Sequence, residues 1–153
     1  MSTILLIFHG LAAVFLIGAI THQAASLLRS AAPPTQRGFV QRFTAVRPVG
    51  YAAAILVLYL VTLLLGALIY PSYALGPRAM IRAEWPGAFA AFEVKEHFAA
   101  LGLALLPVYW KLWRPPVPSE TISARRSVTL LLALIVWTAF LVGHVLNNLG
   151  GLK

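Results

Sequence analysis

Four apolar stretches, each about as long as a bilayer is thick, divide this chain and leave few folds open to it. They run over residues 4–28, 50–70, 86–113 and 127–149. Each supplies roughly the 20 residues that a helix needs to cross about 30 Å of hydrocarbon. No water reaches backbone amides and carbonyls at that depth, so each stretch must close its hydrogen bonds on itself as a helix. The chain is 60% hydrophobic and 10% charged. Soluble domains have roughly 45–50% apolar and about 25% charged residues. The chain therefore reads as an integral membrane protein, and residues 1–153 suit a single four-span domain.

The connections are short and rich in helix breakers: Ala32-Pro33-Pro34, the run from Pro71 to Pro77, and Pro115-Pro116-Val117-Pro118. Short connections make consecutive spans antiparallel, which predicts an all-α, up-down four-helix transmembrane bundle. The first span lacks a basic leader and a small-residue cleavage site, so it reads as a retained helix.

Basic residues set the orientation. One group of connections carries Arg29, Arg37, Arg42, Arg47, Lys111, Arg114, Arg125 and Arg126; the other side carries Arg78, Arg82 and Lys153. The positive-inside rule puts the first group in the cytoplasm and both termini on the non-cytoplasmic side, with a bacterial cytoplasmic membrane expected. The net charge of +8 is thus a topology signal, and no nucleic-acid partner is expected. Trp85 at one end of the third span, and Tyr109, Trp110 and Trp113 at the other, read as interfacial belts. Cysteine is absent, which removes disulfides, thiolate metal sites, covalent c-type haem attachment and thiol catalysis. No nucleophile–base motif or phosphate-binding glycine loop is present, so an electron-transfer or accessory role is expected ahead of an enzyme.

Polar chemistry is concentrated in Glu93-Val-Lys-Glu-His97, inside the third span. Ionisable groups at bilayer depth are costly and usually mark a cofactor site, an ion path or a proton relay. At the helical rise, His9 lies about 9 Å from the non-cytoplasmic end of its span, Glu93 about 10 Å, His97 about 16 Å and His144 about 7 Å. Three helices thus bring His9, His97 and His144 to the same half of the bundle. At about 100° per residue, Glu93, Glu96 and His97 share one arc of their helix and Lys95 lies opposite. His22 belongs to the other half and reads as a hydrogen-bonded core residue.

Three readings of this layer stand side by side. In the first, two of His9, His97 and His144 are axial ligands of a b-type haem held between helices. Gly10, Ala12, Ala13, Ala99, Ala100, Gly102 and Gly143 would leave room for the ring, and Arg78 or Arg82 would pair with its propionates. In the second, His9, Glu93, His97 and His144 hold a single non-haem metal ion, with Glu93 and His97 spaced i, i+4 on one face. In the third, Glu93, Lys95, Glu96 and the histidines form a cofactor-free polar network that joins helices or a partner. The expectation is a small membrane protein binding b-type haem, acting in electron transfer within or beside a membrane redox complex. The alternative is a non-catalytic membrane subunit or assembly factor. Its expected surroundings are the lipid bilayer and a membrane protein partner or further copies of itself.

Overall fold

The computed structural model describes residues 3–27, 38–39, 48–116 and 118–151. Leu28, the Ala32-Pro33-Pro34 connection with Arg29, Arg37, Arg42 and Arg47, and also Val117 and Lys153 lie outside the described residues. The described chain forms helices α1 (Thr3–Ser26), α2 (Pro48–Leu75), α3 (Arg78–Glu84), α4 (Pro86–Trp113) and α5 (Ile122–Gly151). A 3₁₀ turn over Ser119–Thr121 leads into α5.

The boundaries have local causes. At the end of α1, the Ser26 hydroxyl donates to the Gln23 carbonyl at 2.6 Å and the Leu27 amide donates to Ala24 at 3.1 Å, closing the last turn. Pro48 opens α2 and Pro86 opens α4, where a missing amide costs nothing. Arg114 leaves α4 in an extended conformation ahead of Pro115-Pro116. Two prolines do not end their helices: α2 runs through Pro71 to Leu75, and α4 runs through Pro107 to Trp113. Each removes only one backbone donor, a loss that membrane helices accommodate. The run from Pro71 to Pro77 is therefore no simple loop, and Arg78 and Arg82 stand on the short helix α3.

Three segments are long and apolar enough to cross a membrane: Thr3–Ser26, Gly50–Leu75 and Ser119–Leu149. Helix α4 has the length, but Glu93, Lys95 and Glu96 interrupt its apolar run. Large apolar side chains face outward on these helices, among them Phe15 at 65% exposure and Leu64 at 62%. An apolar exterior on this scale is a surface for lipid or protein rather than for water.

Each long helix packs on two others: α1 on α2 and α5, and α4 on α2 and α5. Contacts run in opposite residue order, with His9 beside Thr62 and His22 beside Tyr51 between α1 and α2. Tyr59 meets Ala99, and Trp113 meets Thr129 in the same sense. The main core lies around Ile20, Ile55, Tyr109 and Leu132, all fully buried, from the middle of the helices to the end that holds Gln23. A smaller cluster of Ile81, Phe92 and Leu146 closes the opposite end, which holds His9.

Candidate functional site

The two ends treat polar groups differently. At the Gln23 end they point inward and find one another. The Tyr109 hydroxyl donates to Gln23 Oε1 at 2.6 Å, both residues buried. Trp113 Nε1 donates to Thr129 Oγ1 at 3.0 Å. Tyr109 and Trp113 are thus core residues and not belt residues, because each polar tip has a buried acceptor. Trp110 is half-buried under Arg114, 5.3 Å from its ring centre, while Trp85 is 46% exposed. His22 also belongs to this end, its ring stacked on Tyr51 at 5.0 Å.

At mid-helix Tyr59 donates to the Ala99 carbonyl at 2.8 Å. It fills the space beside Gly102, where a Cβ would overlap the Tyr59 hydroxyl and ring. The room that Gly102 leaves is therefore taken by Tyr59. Gly10 and Gly143 face open space.

At the His9 end, the arc of Glu93, Glu96 and His97 is present but turned away from the bundle. The buried residues of α4 are Phe92, Gly102, Leu106, Tyr109 and Trp113. On a 100° wheel Lys95 shares their side, Glu93 and His97 lie opposite, and Glu96 lies on the flank, about 40° from Phe92. Exposure agrees: the Lys95 side chain is 19% exposed, Glu96 45% and Glu93 41%. Lys95 pairs with Glu96 at 2.7 Å and lays its ammonium over the Phe92 ring, 4.6 Å from its centre. Glu93 pairs with Arg78 at 3.1 Å, tying α3 to α4. The guanidiniums of Arg78 and Arg82 both lie 5.5 Å from the centre of the Phe89 ring.

The three histidines do not share a focus. His9 lies on the core side of α1, half-buried, and its Nδ1 donates to the Thr62 carbonyl at 3.1 Å. It sits over Gly66, where a Cβ would come within 3.3 Å of the imidazole. His97 faces outward, and its Nδ1 donates to the Glu93 carbonyl at 2.7 Å. A carbonyl only accepts, so both rings carry a proton on Nδ1, and in the neutral ring Nε2 is the acceptor. His144 is exposed, stacked on Phe140, and receives a bond from Asn148 Nδ2 at 3.2 Å. Asn148 also donates to the His144 carbonyl at 3.0 Å, so it bonds its own helix rather than a loop. His144 lies seven residues, about two turns, from Trp137, whose Nε1 donates to Thr21 on α1 at 2.9 Å. That places His144 along the α1–α5 seam. Among the described residues, no three of the histidines and glutamates converge as a metal-holding group.

Sequence reasoning missed the Gln23–Tyr109 and Trp113–Thr129 pairs and the seat of His9. One signal was present for the last: Gly66, a residue that costs about 1 kcal/mol in a helix relative to Ala unless its missing side chain is needed. Comparison with family models, curated proteins and solved structures finds no match.

Proposed function

We propose that this chain is a non-catalytic integral membrane subunit that joins a second copy of itself through α4. All four long helices span, as an up-down bundle with both termini on the non-cytoplasmic side, and the His9 end lies toward that side. The reading rests on one observation: His97, on the outward face of α4, and Glu96, on its flank, are both exposed. Lys111 marks the cytoplasmic end of this helix, and Glu96 stands fifteen residues away, about 22 Å by the helical rise. That lies within the roughly 30 Å of hydrocarbon. An acid and an imidazole facing lipid at that depth are costly, whereas facing protein they act as glue.

The composition of the stripe suits a two-fold contact. Such a contact sets residue i of one copy against j of the other, and j against i. Glu96 and His97 are adjacent, so each acid would meet an imidazole across the axis, with His97 Nε2 accepting or carrying the shared proton. The test is the number of chains per particle in a lipid bilayer, for the parent and for the Glu96→Leu, His97→Leu double variant. The parent should hold two chains and the variant one.

A second reading, b-type haem, is favoured by the imidazole orientations. Metal-binding histidines usually donate their other ring N–H to a carbonyl, as His9 and His97 do. His97 faces outward, so it would reach a haem only across the contact between two copies, giving one haem per two chains. An absorbance spectrum before and after reduction tests this. A Soret band lost in His97→Ala supports haem, and a colourless protein from haem-replete cells removes it.

A further inference from the structure

An open pocket of about 540 Å³ lies where α2 passes into α3, lined by Ala74, Arg78, Ala79, Arg82 and Ala83. Three alanines make its apolar walls, and its polar side chains are the two arginines. Among the described residues, no carboxylate lines it. Arg78 and Arg82 are four residues apart on α3, so they stand one turn apart on one face, about 5–6 Å between Cβ atoms. Both guanidiniums rest against the same ring, each 5.5 Å from the centre of Phe89. Contact with a ring face steadies a guanidinium without cancelling its charge, and leaves N–H donors at its edge for a second partner. Arg78 gives one nitrogen to Glu93 at 3.1 Å. Arg82 makes no ion pair among the described residues.

The position of α3 narrows the kind of anion that reaches this pair. Ile81 is buried with Phe92 and Leu146, which fixes the short helix to the His9 end of the bundle. Leu75 and Trp85 flank the helix in sequence and are 91% and 46% exposed. A basic helix between an exposed leucine and an exposed tryptophan suits the boundary of hydrocarbon and water, where tryptophan is enriched. The abundant anion at that boundary is the phosphodiester of a phospholipid. Its free oxygens match the fork of a guanidinium.

We propose that Arg78 and Arg82 clamp the phosphate of one membrane phospholipid in this pocket, with its glycerol ester region against Ala74, Ala79 and Ala83. The site rests on the spanning of the helices given above, but not on the contact between two copies.

The test is native mass spectrometry of the purified full chain in detergent, titrated with phosphatidylglycerol, whose headgroup carries no cation of its own. The expected result is one lipid bound per chain ahead of any weaker binding. Arg82→Gln should weaken that first binding about fivefold. Ala79→Leu, at an exposed position, fills the pocket without changing a charge and should also weaken it. Arg126→Gln, an exposed cation at the other end of the bundle, should leave it unchanged. Undiminished binding in Arg82→Gln and Ala79→Leu would overturn the pocket. Equal weakening in Arg126→Gln would reduce the effect to general charge and overturn the clamp. Displacement of the lipid by an equal concentration of glycerol 1-phosphate would overturn a lipid as the source of the phosphate. Release of the parent from membranes by alkaline carbonate would overturn the membrane reading and the lipid source together, whereas the variants report on the pocket alone.

Discussion

At the Gln23 end of the bundle, polar side chains point inward and meet across helices; at the His9 end, Glu93 and His97 of α4 point outward and pair locally. Gln23, Tyr109, Trp113 and Thr129 are all buried, and each hydroxyl or indole tip has a partner on another helix. Glu93, Glu96 and His97 are on the surface, held by Arg78, Lys95 and a carbonyl of their own helix. The difference teaches what each end is for. Inward pairs between helices fix the bundle, because in lipid the attraction between helices comes from packing and hydrogen bonds rather than from the hydrophobic effect. Outward pairs leave hydrogen-bonding capacity on the surface, which is of use only if something covers it.

Variants can sharpen or break this contrast, and the largest effect should fall at mid-helix. Gly102→Ala drives a Cβ into Tyr59 and displaces its bond to Ala99. Over-packing costs about 1–3 kcal/mol, so the thermal midpoint in detergent should fall by several degrees. Gly143→Ala meets open space and should be neutral or slightly stabilising. Equal effects at the two glycines would mean the core is no tighter at Tyr59 than along α5.

The Gln23–Tyr109 pair comes next. Interhelical hydrogen bonds in membranes contribute about 0.6 kcal/mol on average and up to about 1.7. Tyr109→Phe should fall near the upper figure, because the bond is short and both residues are buried. The double variant with Gln23→Leu should cost less than the sum of the singles in a mutant cycle. Strict additivity would show that the two side chains do not support one another.

Much of this contrast was legible in the sequence, and the part that was not has a physical cause. Helices α1 and α4 match the bounds of the apolar stretches closely, because length and helical rise are read directly from the sequence. Facing does not follow. Helices α1 and α2 are apolar on every side, so no polar stripe marks a lipid face or a core face. On α4 the arc of Glu93, Glu96 and His97 is fixed by periodicity, but its sense is not. In water a charged arc faces out; in a bilayer it can face inward to a partner helix or outward to another protein. Lys95, the residue opposite the arc, is the one turned toward the core. The proline at position 71 hid the last turn of α2, because proline reads as a stop where one lost donor is in fact absorbed.

The smallest stability effect should come from Arg78→Gln. The pair with Glu93 is more than a third exposed on both sides. Such pairs contribute about 0–1 kcal/mol, less with salt. A loss of the size expected for Tyr109→Phe would show that the His9 end is held together from within after all.

The most direct test is a count of chains per particle in a lipid bilayer by single-molecule photobleaching. It is made on the parent and on the variant carrying both Glu96→Leu and His97→Leu. Two steps for the parent and one for the variant are predicted, with the helix content of the two alike. A parent that bleaches in one step, or a variant that still bleaches in two, contradicts the assignment of the α4 stripe as a contact between copies.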